Sequence, residues 1–106
     1  MSSAYRRYEI LLPVRFSNGD PVPAEIFAQT LLEIRERFGA VSAESHAVYG
    51  EWQYEGTVHR DESSKMYVDV VDTTENRQFF TEYKETLKSR FQQLDIWMTT
   101  YPIEVV

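Results

Sequence analysis

Alternating apolar and polar residues predict the strands of this chain. Side chains at every second position form one apolar row, which is typical of a strand with one buried face. This pattern predicts four strands, over residues 6–16, 43–54, 57–72 and 94–101. A two-residue Glu55-Gly56 turn joins the middle two as a hairpin. Pro13 indicates a bulge or a shorter first strand, and the polar run 61–64 a bulge or an interruption.

Two further segments repeat apolar residues every three or four positions, which predicts amphipathic helices over 24–39 and 76–93. Pro23 suits the first helical position, and Gly39 is a residue on which a helix ends. Asp72 is expected to cap the second helix, with Glu75 reaching back to the free backbone N–H. The remaining residues after Tyr101 form a short tail.

The predicted order is β-α-β-β-α-β, and 106 residues are the usual size of one domain. Connection rules then favour one α+β domain over 1–106 with the ferredoxin-like βαββαβ fold. This fold has a four-stranded antiparallel sheet in the spatial order 4-1-3-2, with both helices on one face. The other sheet face is left without a helical cover.

The residues of this open face follow from strand parity. The even-numbered positions of the first strand, with Met66, Val68, Val70, Ile96 and Met98, are predicted to face the helices. The opposite parity then carries Leu11, Pro13, Tyr67, Asp69, Val71, Trp97, Thr99 and Tyr101. Hairpin pairing sets Tyr54 against Thr57, Trp52 against His59, Gly50 against Asp61 and His46 against Lys65. Trp52, His59 and Asp61 therefore share the open face, unless a bulge at 61–64 reverses the facing.

Composition narrows the classes of function. The net charge is −6. This argues against nucleic acid or an anionic membrane as the main partner, because both require a basic surface on the protein. The absence of cysteine excludes disulfides, thiol catalysis and cysteine zinc sites. No apolar run approaches the ~20 residues of a membrane span, and the N-terminus lacks the apolar stretch of a signal peptide. A cytoplasmic location is the expectation.

Candidate chemistry centres on the two histidines. His46, His59 and Asp61 are residue types that bind divalent metals, but HExxH, HxH and HxxxH spacings are all missing. We therefore expect neither a metal nor a cofactor. His59 beside Asp61 or Glu51 also has the composition of a general acid–base pair. Whether the protein is an enzyme stays open at this point.

Residues 50–93 carry a longer pattern. It comprises Gly-x-Trp in the second strand, a polar turn with glycine, and a third strand with Glu and Ser that leads into a long charged helix. In this the chain resembles uncharacterised small bacterial proteins of ferredoxin-like fold. The resemblance implies the fold and assigns no activity. By analogy, some ferredoxin-like families that pair through their open faces are cofactor-free monooxygenases or small-molecule binders.

Large aromatic residues on an uncovered sheet face are typical of an interface. The candidate binding or interface residues are Trp52, His59, Asp61, Tyr67, Trp97 and Tyr101. The sequence therefore predicts a homo-oligomer, most simply a dimer, or a domain that binds a protein partner. The alternative is a small cofactor-free enzyme or small-molecule binder whose pocket on this face includes His59 and Asp61.

Overall fold

A computed structural model describes residues 4–44 and 46–106. The described residues form five strands and two helices. In chain order these are β1 (Tyr5–Pro13), α1 (Ala24–Phe38), β2 (Ser42–Ala43), β3 (Val48–Tyr54), β4 (Thr57–Val71), α2 (Thr74–Arg90) and β5 (Met98–Ile103).

The strands form one antiparallel sheet in the order β2-β4-β1-β5, and β3 also pairs with β4. The prediction of four strands was therefore wrong in strand count, because five are present; with β2 and β3 together as the second strand, the neighbours along the sheet keep the predicted succession 4-1-3-2, and the α+β class and the two helices are confirmed. The difference arises where the predicted second strand divides. Met66 pairs with Ile10 on one side and Ala43 on the other, whereas Ser63 pairs with Pro13 and Val48. Hence β2 and β3 lie end to end along the β4 edge that faces away from β1.

The pairing with β4 stops after Ala43 and resumes at Val48. Glu44 still donates its backbone N–H to the Lys65 carbonyl at 2.9 Å. His46 lies in a bend outside the strands, so the predicted pairing of His46 with Lys65 was wrong.

The hydrophobic core lies between the helices and the even-numbered positions of the central strands, as the alternation predicted. Its buried members are Tyr8, Ile10, Leu12, Val22, Ile34, Met66, Val68, Val70, Phe80, Tyr83, Leu87, Phe91 and Ile96. The Tyr8 ring stacks on Phe80 with centroids 3.8 Å apart. Both helices therefore cover the same face of the sheet, and the other face is left open.

The helix ends show one confirmed prediction and two errors. Pro23 was expected at the first helical position, but it is the N-cap, since α1 begins at Ala24. Gly39 ends α1 with φ 85°, a left-handed conformation that glycine adopts without steric cost. At α2 the cap is Thr73, whose hydroxyl accepts the Asn76 N–H at 3.0 Å. Asp72 does not cap, because its carboxylate binds Arg77 through two hydrogen bonds of 2.7 and 2.8 Å.

Strand β4 runs through 61–64 without a break in register, so no bulge reverses its facing. Up to Asp61 its first half pairs with β3 alone among the described residues, because β1 ends opposite Ser63 and the chain after β1 makes its last backbone hydrogen bond to β4 through the Val14 N–H to the Glu62 carbonyl, at 3.1 Å. Residues 48–62 thus form a two-stranded hairpin arm that extends beyond the rest of the sheet. The chain measures 50 × 31 × 25 Å with a radius of gyration of 14.8 Å, against about 13 Å for a compact chain of this length.

Candidate functional site on the open sheet face

The body of the open face carries three of the predicted site residues. Tyr67 pairs with Glu9, and Tyr101 pairs with Arg7, at positions that face away from the helices. Trp97 precedes β5, where its carbonyl accepts the Leu11 N–H at 3.0 Å. The Trp97 and Tyr101 side chains are 66% and 40% exposed. These rings are therefore available to a partner at the surface of the single chain.

A polar network occupies the middle of this face. The Arg7 guanidinium binds both carboxylate oxygens of Asp69, at 2.7 and 2.9 Å, and lies 4.6 Å from the centre of the Tyr67 ring. The hydrogen bond to Asp69 raises the pKa of Arg7 above its ordinary value. The open face is therefore an aromatic surface with a charged centre.

A second set of contacts extends this network sideways. The Tyr101 hydroxyl donates to Glu9 at 2.8 Å, and Lys65 lies 3.5 Å from the other Glu9 oxygen and 3.8 Å from Glu44. The sequence prediction did not include Arg7, Glu9 and Lys65 among the site residues. Arg7 and Glu9 occupy odd-numbered positions of β1, so the alternation alone assigns them to the open face.

The hairpin arm carries the other three predicted site residues. The Trp52 indole stacks on the His59 imidazole with centroids 4.3 Å apart and an angle of 16° between the planes. Asp61 lies opposite Gly50 in the register. A Cβ on Gly50 would come within 2.7 Å of the Asp61 carboxylate oxygen, so the glycine gives this side chain room to fold across the strand pair. The predicted pairs Trp52–His59 and Gly50–Asp61 are confirmed.

The structure does not bring all six predicted residues into one site. His59 and Tyr67 are eight residues apart on the same strand, which corresponds to about 26 Å. Trp52, His59 and Asp61 line an open cleft of about 510 Å³, which lies between the arm and the loop that follows β1. Trp97 and Tyr101 do not line it. The open face therefore holds two separate clusters, one on the arm and one on the body.

Metal chemistry has no geometric support in the part of the chain that the structure describes. Within residues 4–44 and 46–106, no three His, Asp or Glu side chains come close enough to hold a metal ion. Neither described helix is long and apolar enough to cross a membrane. What the site offers is stacking by Trp52 and His59, with Asp61 as a carboxylate beside them.

Several solved structures have a similar fold. Superposition on CutA1 from Oryza sativa gives a TM-score of 0.68 at 11% identity and covers 99% of this chain and 84% of that one. A divalent cation tolerance protein (Cut A1) from Thermus thermophilus gives 0.66 at 16% identity, covering 96% and 86%. A phage SAM lyase in complex with S-methyl-5′-thioadenosine gives 0.67 at 12% identity, covering 99% and 93%.

These likenesses establish that the chain has a CutA1-like, ferredoxin-like fold. No protein-family model matches the chain, and no curated protein sequence matches it. The resemblance of residues 50–93 to uncharacterised bacterial families is therefore not confirmed. At these identities the relatives share an architecture with this chain, and function has to be argued from its own residues.

Proposed function

We propose that this protein is a self-associating α+β protein whose open face and hairpin arm pack on another copy of the chain. The observation that carries the proposal is the exposure of aromatic rings on one continuous sheet face. Trp52 is 51% exposed and Trp97 66% exposed, and both lie on that face. Burying a ring of this size removes on the order of 150–250 Å² from water, which is strongly favourable.

The hairpin arm supports the same proposal. Tyr49, Tyr54 and Val58 are also about half exposed or more, so the arm presents apolar side chains on both of its faces. A two-stranded hairpin without a covering layer is marginally stable in water. The chain exposes 7348 Å² in total. A monomer of 12.5 kDa typically exposes about 6,200 Å², and the excess is comparable to one side of an ordinary protein interface.

The charged centre of the open face is compatible with burial. Arg7 is paired with Asp69, and Glu9 accepts from Tyr101 and contacts Lys65, all within one chain. A charged side chain that is already paired within its own chain can be buried without leaving an unpaired charge in the interface. An unpaired charge would oppose association. A second copy is the simplest occupant, because one self-complementary surface is enough for a two-fold dimer.

Light scattering coupled to size exclusion tests the proposal. We expect the wild-type mass to be a multiple of 12.5 kDa at micromolar concentration. Trp97→Glu places a charge in the proposed interface and should shift the mass toward the monomer. Leu32→Glu is the matched control, because Leu32 is exposed on α1, in the helical layer that covers the other sheet face. A monomeric wild type would overturn the proposal, and so would equal effects of the two substitutions.

The arm cleft favours a second candidate function, the binding of a small planar molecule. Its wall carries the Trp52–His59 stack and the Asp61 carboxylate, which together suit a heteroaromatic ring that has polar substituents. S-methyl-5′-thioadenosine is the probe of choice, because a phage SAM lyase of similar fold was solved in complex with it. Titration calorimetry should show saturable binding that Trp52→Ala abolishes and Tyr49→Phe, a conservative change on the cleft wall, preserves. No heat of binding with the wild type would eliminate this candidate.

A further inference from the structure

Arg6 occupies a position at which the alternation of apolar and polar residues in β1 predicts a core residue. It belongs to the even-numbered set of β1, together with the buried residues Tyr8, Ile10 and Leu12. Its side chain is only 16% exposed. A guanidinium at such a position requires acceptors, because removing its charge from water is costly unless it is paired.

Arg6 Nη1 donates to the Thr100 hydroxyl at 3.4 Å, and the carboxylate nearest to Arg6 is shared with another cation. Asp72 gives both its oxygens to Arg77, at 2.7 and 2.8 Å. These bonds lower the pKa of Asp72 to about 2. Arg6 Nε lies 3.3 Å from the same carboxylate, but not in hydrogen-bonding geometry. Among residues 4–44 and 46–106, this buried N–H has no acceptor. Two guanidiniums thus lie against one carboxylate, and the Arg6 Nε–H is left over.

Both arginines line a cleft of about 430 Å³ between α2 and β5, the α2–β5 cleft. Its other cations, Lys84 and Lys88, lie on α2, where helical spacing aligns them with Arg77 on one side. Its acids are paired with these lysines, Asp95 with Lys84 at 3.1 Å and Glu85 with Lys88 at 3.3 Å. With Asp72 included, four cations face three carboxylates. The cleft is therefore locally positive on a chain whose net charge is −6.

The floor of the α2–β5 cleft is apolar. Tyr8, stacked on Phe80, and Met98 line it, and the hydroxyls of Thr81 and Thr100 lie at its sides. The two hydroxyls donate to the backbone carbonyls of Arg77 and Arg7. The spare donors are therefore the N–H groups of the arginine and lysine side chains, which are more than a carboxylate uses, and a phosphoryl group has three terminal oxygens to accept them. The volume lies in the range of small-molecule sites and leaves room for a body attached to the phosphate.

We propose that the α2–β5 cleft binds a small phosphorylated organic molecule, with Arg6, Arg77 and Lys84 contacting the phosphoryl group and the apolar floor contacting the body of the ligand. The site lies on the helical side of the sheet. It is therefore distinct from the open face and from the arm cleft, and does not depend on self-association.

Phenyl phosphate is a suitable probe, because it joins a phosphoryl group to an apolar ring. Titrated into the ¹⁵N-labelled full chain, it should produce saturable shifts at the amides of Tyr8, Phe80 and Thr100. Arg6→Met keeps the length of the side chain and removes its charge, and should weaken binding by about tenfold or more. Lys84→Gln, a change at the protein surface, should weaken binding severalfold and tests the site independently of folding. Arg35→Gln is the control, since it makes the same change of charge on α1 away from the cleft.

The salt dependence of binding and three possible negative results also test the proposal. Weaker binding at higher salt supports it, because the recognition is electrostatic. Shifts that do not saturate in the wild type would overturn it. So would an Arg35→Gln effect as large as that of Arg6→Met, since this would show a general charge effect. Equal binding of benzoate would refute the assignment of the ligand as a phosphate.

Discussion

Trp52 and His59 stack face to face across the β3–β4 pair, with ring centroids 4.3 Å apart and planes 16° from parallel. The two residues are direct partners in the register, so the contact follows from the turn that sets this register. The stack covers part of the imidazole, and His59 is half-buried although most of its neighbours on the arm are exposed. Trp52 itself is still 51% exposed.

This geometry predicts a small effect of His59→Ala on global stability. A cross-strand aromatic pair contributes roughly 0.2–1 kcal/mol, and the arm lies outside the main core. We expect the free energy of unfolding from urea titration to fall by less than about 1 kcal/mol. His46→Ala is the control, since that histidine is exposed outside the strands. A loss of several kcal/mol would show that the arm unfolds as one unit with the core.

The cap of α2 gives a second prediction. Thr73→Ala removes the hydroxyl that accepts the Asn76 N–H at 3.0 Å. It should lower the free energy of unfolding by about 1 kcal/mol. Thr74→Ala, one residue into the helix, should have a clearly smaller effect in the same urea titration. If the two substitutions were equivalent, Thr73 would not be the cap.

Much of this fold follows from local pattern. The even-numbered core positions of β1, the Glu55-Gly56 turn and the end of α1 at Gly39 all depend on residues close in sequence. The cap was misassigned by one residue for a physical reason. Asp72 and Thr73 are both good caps, and a carboxylate that neighbouring arginines bind is not free to accept from the helix.

The site was less predictable because its contacts are distant in sequence. The Arg7–Asp69 pair joins residues 62 positions apart, and it depends on the register between β1 and β4. Parity placed Trp52 and Tyr67 on the same face. It did not set their distance along the sheet: Trp52 pairs with His59, which is eight residues from Tyr67 on β4, and this places the two rings in separate clusters. The division into β2 and β3 likewise has no clear signal in the residues around His46.

A contact between the two helices predicts how stability depends on pH. Glu33 accepts two hydrogen bonds from Arg90, at 2.6 and 2.8 Å, and one from Tyr83 at 2.8 Å. The bonds from Arg90 lower the pKa of Glu33 below its ordinary value of 4.5, against the opposing effect of burial. A carboxyl whose folded pKa is depressed stabilises the native state above its unfolded pKa. That contribution is lost as the pH falls through the folded pKa.

We therefore expect Glu33→Gln to destabilise the protein at neutral pH and to have little effect in acid. The loss at pH 7 should be about 1–2 kcal/mol, less than for a fully buried pair, because the Glu33 side chain is 38% exposed. Chemical denaturation at pH 7 and at about pH 3 measures the difference. Glu36→Gln, on the exposed side of α1, is the control. A Glu33→Gln effect of equal size at both pH values would contradict the assignment.

The last prediction concerns the turn that closes the hairpin arm. Glu55 has φ 50° and Gly56 φ 78°, so both central residues are left-handed, as in a type I′ turn. Glycine adopts this conformation freely, whereas an L-residue with a Cβ is disfavoured there by roughly 1–2 kcal/mol. Gly56→Ala should therefore destabilise the arm. Glu55→Asn should stabilise it, because asparagine before glycine is the preferred sequence of this turn.

Hydrogen exchange resolves this effect, because the arm can open locally while the core stays folded. Exchange at the amides of the β3–β4 pair should quicken in Gly56→Ala and slow in Glu55→Asn, while the amide of Ile10 in the buried part of β1 stays unchanged. Gly19→Ala introduces a similar strain at another left-handed glycine and should leave the arm as it is. Unchanged exchange in both turn variants would mean that contacts outside the hairpin, such as those to a second copy, hold the arm in place.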